Sequence, residues 1–313
     1  MKPPVDKTVC DNNEPSIQEY EDLSEILLRY KREVDLKVAA YLTSFGKKTA
    51  LRDACEYALM NGGKRFRPAI VLMIARSLGK GQDASHAALA VEFAHTASLI
   101  ADDLPCMDDD DIRRNKPSLH RVYGESVALL ASYALVSAGY ACIHKNAEVL
   151  REMPGFSAAK SYEICSIALE NSTYNTGILG TVGGQFLDMY PPNQHLETLE
   201  EVVEKKTVTL FEMAFAFGWL FGGGDITLMP TVKKAAKHFG MAFQIVDDIQ
   251  DAKQDRRGER EINFIIALGS AKAMVRFNAE IAALRVSLRE LALDSSPLEE
   301  FISALVREAE KRS

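Results

Sequence analysis

The stretch Leu89–Asp111, LAVEFAHTASLIADDLPCMDDDD, decides how the rest of the chain is read. An apolar run at helical spacing, Leu89 to Ala101, breaks directly into six aspartates within ten residues. A charge run is ordinarily a solvated loop. Two features oppose that here. The acidic block abuts an apolar helix, and it has a distant counterpart, Asp247-Asp248-Ile249-Gln250-Asp251, directly after a second apolar run, Met241 to Val246. On a helix Asp247 and Asp251 face one way, and Asp102 and Asp108 face together if Pro105 only bulges the helix end. Carboxylates this dense repel, and raise one another's pKa, unless cations neutralise them. Oxygen donors without His or Cys suit a hard divalent ion such as Mg²⁺, which binds through one or two carboxylates plus substrate phosphate. Two such clusters, if face to face, suggest a diphosphate held between them by several metal ions.

Outward from these clusters the text is helical. Leu23, Ile26, Leu27 and Tyr30 recur at helical spacing, and the pattern continues through Val34, Val38, Tyr41 and Leu42. Breakers fall at Asn61-Gly62-Gly63, Gly79–Gln82, Arg114–Ser118, Pro154-Gly155, Pro191-Pro192-Asn193, Gly222–Gly224 and Arg256–Glu259, leaving intervals that suit helices. Strand signals are poor. The reading is one all-α domain over 16–313 behind a flexible polar tail, 1–15, with Pro3, Pro4 and Pro15. Val127–Ile143 (VALLASYALVSAGYACI) carries no charge, but it is at the lower limit for a membrane span and contains Ser132, Ser137 and Gly139. It reads as a helix of the core or of a subunit interface, not a transmembrane segment. The run Met213–Phe221 reads as core.

Of 313 residues, 47% are apolar and 26% charged, with a net charge of −7. That composition is ordinary for a globular chain, and the acidic balance argues against nucleic acid as a main partner. Five scattered cysteines form no pair or metal motif, which points to reduced thiols and a cytoplasmic location, and the N-terminus has no signal-peptide h-region. Basic residues accompany the acidic ones: Lys64, Arg65 and Arg67 after the Gly62-Gly63 turn, Arg113 and Arg114 after the first aspartate block, and Lys205 and Lys206 before Thr207. Such side chains are the usual partners of phosphate oxygens.

From about Tyr20 onward these residues resemble the trans-polyprenyl diphosphate synthase family, which includes farnesyl and geranylgeranyl diphosphate synthases. The likeness is carried by Gly62-Gly63-Lys64-Arg65-Phe66-Arg67-Pro68, His95, Asp102-Asp103 with Asp108, Arg113-Arg114, Gly184-Gln185 with Asp188, Lys206-Thr207, and Phe243-Gln244-Ile245-Val246-Asp247-Asp248 with Asp251. The Pro105-Cys106 insertion resembles the bacterial and plant-plastid branch. The resemblance implies antiparallel helices of the isoprenoid synthase type around a deep central cavity, paired as a homodimer. It implies Mg²⁺, three ions per site with substrate bound, held by Asp102, Asp103, Asp108, Asp247, Asp248 and Asp251. Arg113, Lys206, Gln185, Asp188 and Gln244 would serve the allylic diphosphate, and Lys64, Arg67, His95 and Arg114 isopentenyl diphosphate. The carbonyls of Lys206 and Thr207 and the Gln244 side chain would face the allylic cation.

The growing chain is expected to run along its helix from Asp102 toward the N-terminus. Ala97, five residues before Asp102, is small, as are Ser98 and Ala94, so the pocket floor lies deeper. Each helical turn opens about 5 Å, close to one isoprene unit, which favours a twenty-carbon product over farnesyl diphosphate. Three places depart from the family pattern: the segment Ala252–Asn263 after the second motif, Ala131-Ser132-Tyr133 in place of a Gly-Asp pair, and Ala101 where the branch often has His. The first leaves a non-catalytic subunit of a heteromeric synthase as an alternative reading.

Overall fold

The computed structural model describes residues 23–251, 263–294 and 296–312. The predicted tail, 1–15, and most of the departing segment after Asp251 lie outside the described residues. Fourteen α-helices are present among the described residues: α1 (Leu23–Tyr41), α2 (Ala50–Met60), α3 (Phe66–Ser77), α4 (Ser85–Asp102), α5 (Leu119–Tyr123), α6 (Glu125–Arg151), α7 (Ala158–Thr176), α8 (Thr181–Met189), α9 (Leu196–Val203), α10 (Thr209–Phe221), α11 (Met229–Asp251), α12 (Phe264–Leu268), α13 (Ser270–Glu290) and α14 (Pro297–Arg312).

Helix starts follow local chemistry. Thr49 Oγ1 accepts the Arg52 amide at 3.2 Å ahead of α2, and Ser157 Oγ accepts the Lys160 amide at 3.1 Å ahead of α7. The core is built around α10, whose residues are buried on every side except at Glu212. A helix apolar all round belongs inside, and α10 packs on α3, α4, α7 and α11. The run Met213–Phe221 is therefore core, as its composition suggests.

The closest helix pair is α4 with α6. Ala87 N donates to Asn146 Oδ1 at 2.8 Å, a Cβ on Gly139 would stand 3.4 Å from the Ala90 carbonyl, and Ser132 Oγ donates to the Ala97 carbonyl at 2.9 Å. The contacts descend one helix while ascending the other, so the pair is antiparallel. Small residues on both faces permit the approach. By length and composition α6 could cross a bilayer; 44% of its most apolar stretch is buried, and it packs on α4, α7 and α2.

One small element was not legible beforehand. Ile112–Arg113 pairs antiparallel with Lys116–Pro117, and the two turn residues, Arg114 (φ 56°) and Asn115 (φ 63°), are both left-handed. That is the backbone of a type I′ hairpin, made without the usual Asn-Gly.

Candidate active site

The first aspartate cluster is shaped by the end of α4. Pro105 cannot continue a helix, and α4 stops at Asp102 instead of bulging past it. The chain then curls back, and the Asp108 amide donates to the Asp102 carbonyl at 2.8 Å. Asp102 and Asp108 therefore lie together, though by a different route from the one their spacing suggested. Burial above all pushes the Asp102 carboxyl up to about 6, and Asp108 and Asp103 add to the rise while Lys206 and Arg113 oppose it. Asp103 is buried and accepts from Arg113 Nε at 2.8 Å; Arg113 Nη2 also reaches Asp110 at 2.8 Å.

Helix α8 closes one side. Gln185 is buried and donates from Nε2 to Asp108 Oδ1 at 3.0 Å, and Asp188 Oδ2 accepts from Lys206 Nζ at 2.6 Å. Lys206 and Thr207 occupy a π-helical turn, Glu204–Val208, between α9 and α10. Single π turns concentrate at functional sites, because one extra residue in the hydrogen-bonded ring shifts carbonyls out of register. Gly184 admits this turn: a Cβ there would stand 2.5 Å from the Lys206 amide nitrogen.

The second cluster lies at the end of α11. Thr207 Oγ1 donates to Gln244 Oε1 at 2.8 Å, Gln244 Nε2 donates to Asp248 Oδ1 at 2.8 Å, and the Phe264 amide donates to Asp248 Oδ2 at 2.8 Å. Asp248 is buried, and both its oxygens serve this relay. The side chain of Asp251 lies outside the described residues.

The basic group is centred on Arg67 and His95. Arg67 Nη1 is 3.4 Å from His95 Nε2, and its guanidinium lies 4.5 Å over the Phe211 ring. An arginine only donates, so Nε2 accepts and the neutral ring carries its proton on Nδ1. Burial and then the neighbouring arginines, Arg67 and Arg114 foremost, hold His95 well below its ordinary pKa. Burial also pulls Arg67 down to about 10, against the support of Glu92 and Asp247, and leaves it charged at neutral pH. Arg67 Nε and His95 Nδ1 are buried without a partner. Such donors cost free energy unless a ligand or water takes them. Arg114 Nη1 donates to the Gly62 carbonyl at 2.9 Å, and Lys64 is exposed above Phe66.

Arg113 acts on both Asp102 and His95, and Asp247 acts on Arg67, so a residue of each carboxylate group lies within electrostatic reach of the arginine–His95 group. The donor set fits Mg²⁺: it is oxygen-only, and Asp102, raised by burial first and by Asp108 and Asp103 in addition, bears a cost that a cation would relieve. Among the described residues no three ligating side chains form a ready-made cage, which suits an ion completed by water and phosphate. Of the chain-length residues, Ala94 and Ser98 are half-buried on the α4 face that ends at Asp102, whereas Ala97 is buried, with its carbonyl in the α6 seam.

Two participants escaped sequence reasoning. Glu92, 1% exposed, sits among Arg65, Arg114 and Thr96; its signal was a charge within an apolar run. Asp35 on α1 bonds Arg65 at 2.9 Å and carried no signal at all.

A sequence model of polyprenyl synthetases matches residues 48–261. The farnesyl diphosphate synthase of Bacillus subtilis is 35% identical over 245 residues, which are 76% of this chain and 79% of that one. A heterodimeric geranylgeranyl pyrophosphate synthase large subunit of Arabidopsis thaliana is 38% identical over 212 residues, 66% of this chain and 53% of that longer one. Among solved structures, a geranyltransferase from Legionella pneumophila superposes with a TM-score of 0.75 at 26% identity, covering 92% of this chain and 97% of its own. With the carboxylates, the basic centre and the all-α frame agreeing, the chain belongs to the polyprenyl synthetase family and is a prenyltransferase.

Proposed function

We propose that the chain joins isopentenyl diphosphate head-to-tail to an allylic diphosphate and releases geranylgeranyl diphosphate. One observation carries this. The site carries two unlike sets of side chains: carboxylates, as a metal-held diphosphate needs, and arginines with His95, as a metal-free diphosphate needs. A terpene cyclase ionises one diphosphate and has no use for the second.

Mg²⁺, three ions with substrate bound, would supply Lewis-acid neutralisation of the allylic diphosphate as it leaves. Asp102 at the end of α4, Asp103 and Asp108 in the turn after it and Asp247 from α11 would hold the ions, and Lys206 and Arg113 add positive charge where leaving-group charge grows. Gln185 orients Asp108, and Asp188 restrains Lys206. Thr207 and Gln244 aim oxygen dipoles at the carbon left cationic, and the phenylalanines about Phe211 and Phe243 exclude water. Lys64, Arg67, His95 and Arg114 hold isopentenyl diphosphate so that its double bond attacks that carbon. The proton lost afterwards goes to the released diphosphate.

Incubation with Mg²⁺, isopentenyl diphosphate and five-, ten- or fifteen-carbon starters, followed by product chromatography, tests the reading. A dominant twenty-carbon product is expected, and no elongation from any starter would refute it. A subunit active only beside a partner is the second reading, favoured by the departing residues 252–263 and by the heterodimeric relative; inactivity alone but turnover after mixing would select it. For product length, Ser98→Phe narrows the half-open face of α4 and should shift the product to fifteen carbons. Ala97→Tyr should act likewise, but it must also push α6 away at Ser132. An unchanged twenty-carbon product from both variants excludes a floor on α4.

The protein acts as a homodimer through the outward face of α6. The described cysteines are all free, as a reducing cytoplasm would leave them.

A further inference from the structure

Between Lys64 and Arg67 the backbone is held in a costly shape. Gly62 (φ 89°) and Gly63 (φ 104°) are left-handed, as glycine permits, but so is Arg65 (φ 56°, ψ 34°). A side chain in that region persists only where its surroundings over-determine it. Arg65 meets that condition. Its side chain is 1% exposed, and each of its three nitrogens is engaged by a different element. Nε donates to Asp35 Oδ1 of α1 at 2.9 Å, Nη1 to Glu92 Oε1 of α4, and Nη2 to the Leu59 carbonyl in the last turn of α2.

Glu92 is also shared. Thr96 Oγ1 donates to it at 3.4 Å, and Arg114 Nη2 stands 3.9 Å away. Its charge supports Arg67 as well. A buried carboxylate set among arginines orders them as no solvated one could. Arg65, 1% exposed with all three nitrogens engaged inside the protein, presents no open donor to a substrate, and Asp35 lies outside the residues that the family's sequence model matches.

We propose that Asp35, Arg65 and Glu92 form a positioning device. They clamp the left-handed turn so that Lys64 and Arg67, and through Glu92 also Arg114, converge on one diphosphate, without touching it themselves. The inference rests on the reading of that basic centre as the isopentenyl diphosphate position.

Asp35→Ala and Glu92→Gln test it. Steady-state kinetics should show KM for isopentenyl diphosphate rising about threefold or more in Asp35→Ala and about tenfold in Glu92→Gln. KM for the allylic substrate should stay within twofold and kcat within threefold. A role in packing alone would lower the melting temperature and move both KM values together or neither, and that result overturns the proposal. Asp35 is on the rim, so its variant carries the test if Glu92→Gln does not fold. A wild-type chain without turnover would refute the functional reading, not this one. Calorimetry with inorganic pyrophosphate in EDTA then decides: binding at least threefold weaker in Asp35→Ala supports the device, and equal binding overturns it.

Discussion

Asp102 carries a burial cost that a bound cation would relieve. Its carboxyl sits near 6 in the fold against 3.8 when free. Between those values the folded state holds a proton that the unfolded state has lost, so metal-free stability should fall as pH rises from about 4 to 6 and then level off. Asp102→Asn removes the burden. It should raise metal-free stability at pH 7.5 by about 1 kcal/mol once solvent screening is allowed for, seen as a higher melting temperature, and leave it unchanged at pH 4. Mg²⁺ with pyrophosphate should stabilise the wild type and not the variant. Thermal melts at both pH values check this, and equal shifts at each would count against it. Asp248 makes a different case. The resemblance lists it with the metal ligands, yet its oxygens orient the Gln244 amide and receive the Phe264 amide. In Asp248→Asn the new amide can accept only one of these donors. We expect kcat to fall ten- to a hundredfold at saturating Mg²⁺, about 1.4–2.7 kcal/mol of barrier. Asp247→Asn should instead raise the Mg²⁺ concentration needed for half-maximal rate. Titrating rate against Mg²⁺ separates the two, and a shifted requirement in Asp248→Asn would restore it as a ligand.

Helix α8 and the π turn behave as one part. Gly184 lets the helix lie against the Lys205–Lys206 backbone, and a methyl there meets main-chain atoms at 2.5 and 2.8 Å, which cannot rotate aside. Gly184→Ala should cost about 1–3 kcal/mol of stability through overpacking. It should also part Lys206 from Asp188, lowering kcat/KM for the allylic substrate more than for isopentenyl diphosphate. Urea melts and two-substrate kinetics measure both, and a loss of stability with unaltered kinetics would detach the turn from the chemistry. This pair marks the limit of what the chain discloses as text. The aspartate blocks, the Gly-Gly-Lys turn and the six described breaks from Asn61 to Gly224 are local signals, and they were readable; the breaks at Gly124, Gly177–Gly180 and Gly269 were not named. The π turn was not, because its cause is a close approach to a glycine twenty-two residues away. The Arg114–Asn115 hairpin was missed because residues other than glycine adopt its left-handed positions. Glu92 was visible as a charge in an apolar run, but its partner came from a turn whose direction the sequence does not encode locally. Ala97 was taken as pocket lining from its count back from Asp102; the count cannot show that the α6 seam also claims that turn.

The single protomer leaves one long helix half covered. The inner face of α6 packs on α4, while Leu130 is 52% and Tyr133 60% exposed on its outer face, with Leu129 beside them. These residues recur three and four apart, so they form a stripe along one side of the helix. Apolar stripes of this kind, rimmed by polar residues, mark surfaces built to meet another protein. In the proposed homodimer a second copy would supply the same stripe and close the contact by two-fold symmetry. Such a pairing would also have a reason. Helix α6 holds the other side of α4 through Ser132 and the Ala97 carbonyl, and α4 carries Asp102, so whatever steadies α6 steadies the first aspartate cluster. Leu130→Glu with Tyr133→Glu places two charges where the partner would press. We expect light scattering to report a dimer for the wild type at micromolar concentration and a monomer for the variant. That corresponds to a weakening of a hundredfold or more, about 3 kcal/mol. The monomer should keep its helical circular dichroism, because neither residue contributes to the core, yet turn over more slowly at every substrate concentration. A wild-type chain that scatters as a monomer, or a variant monomer with undiminished kcat, would separate the α6 stripe from catalysis.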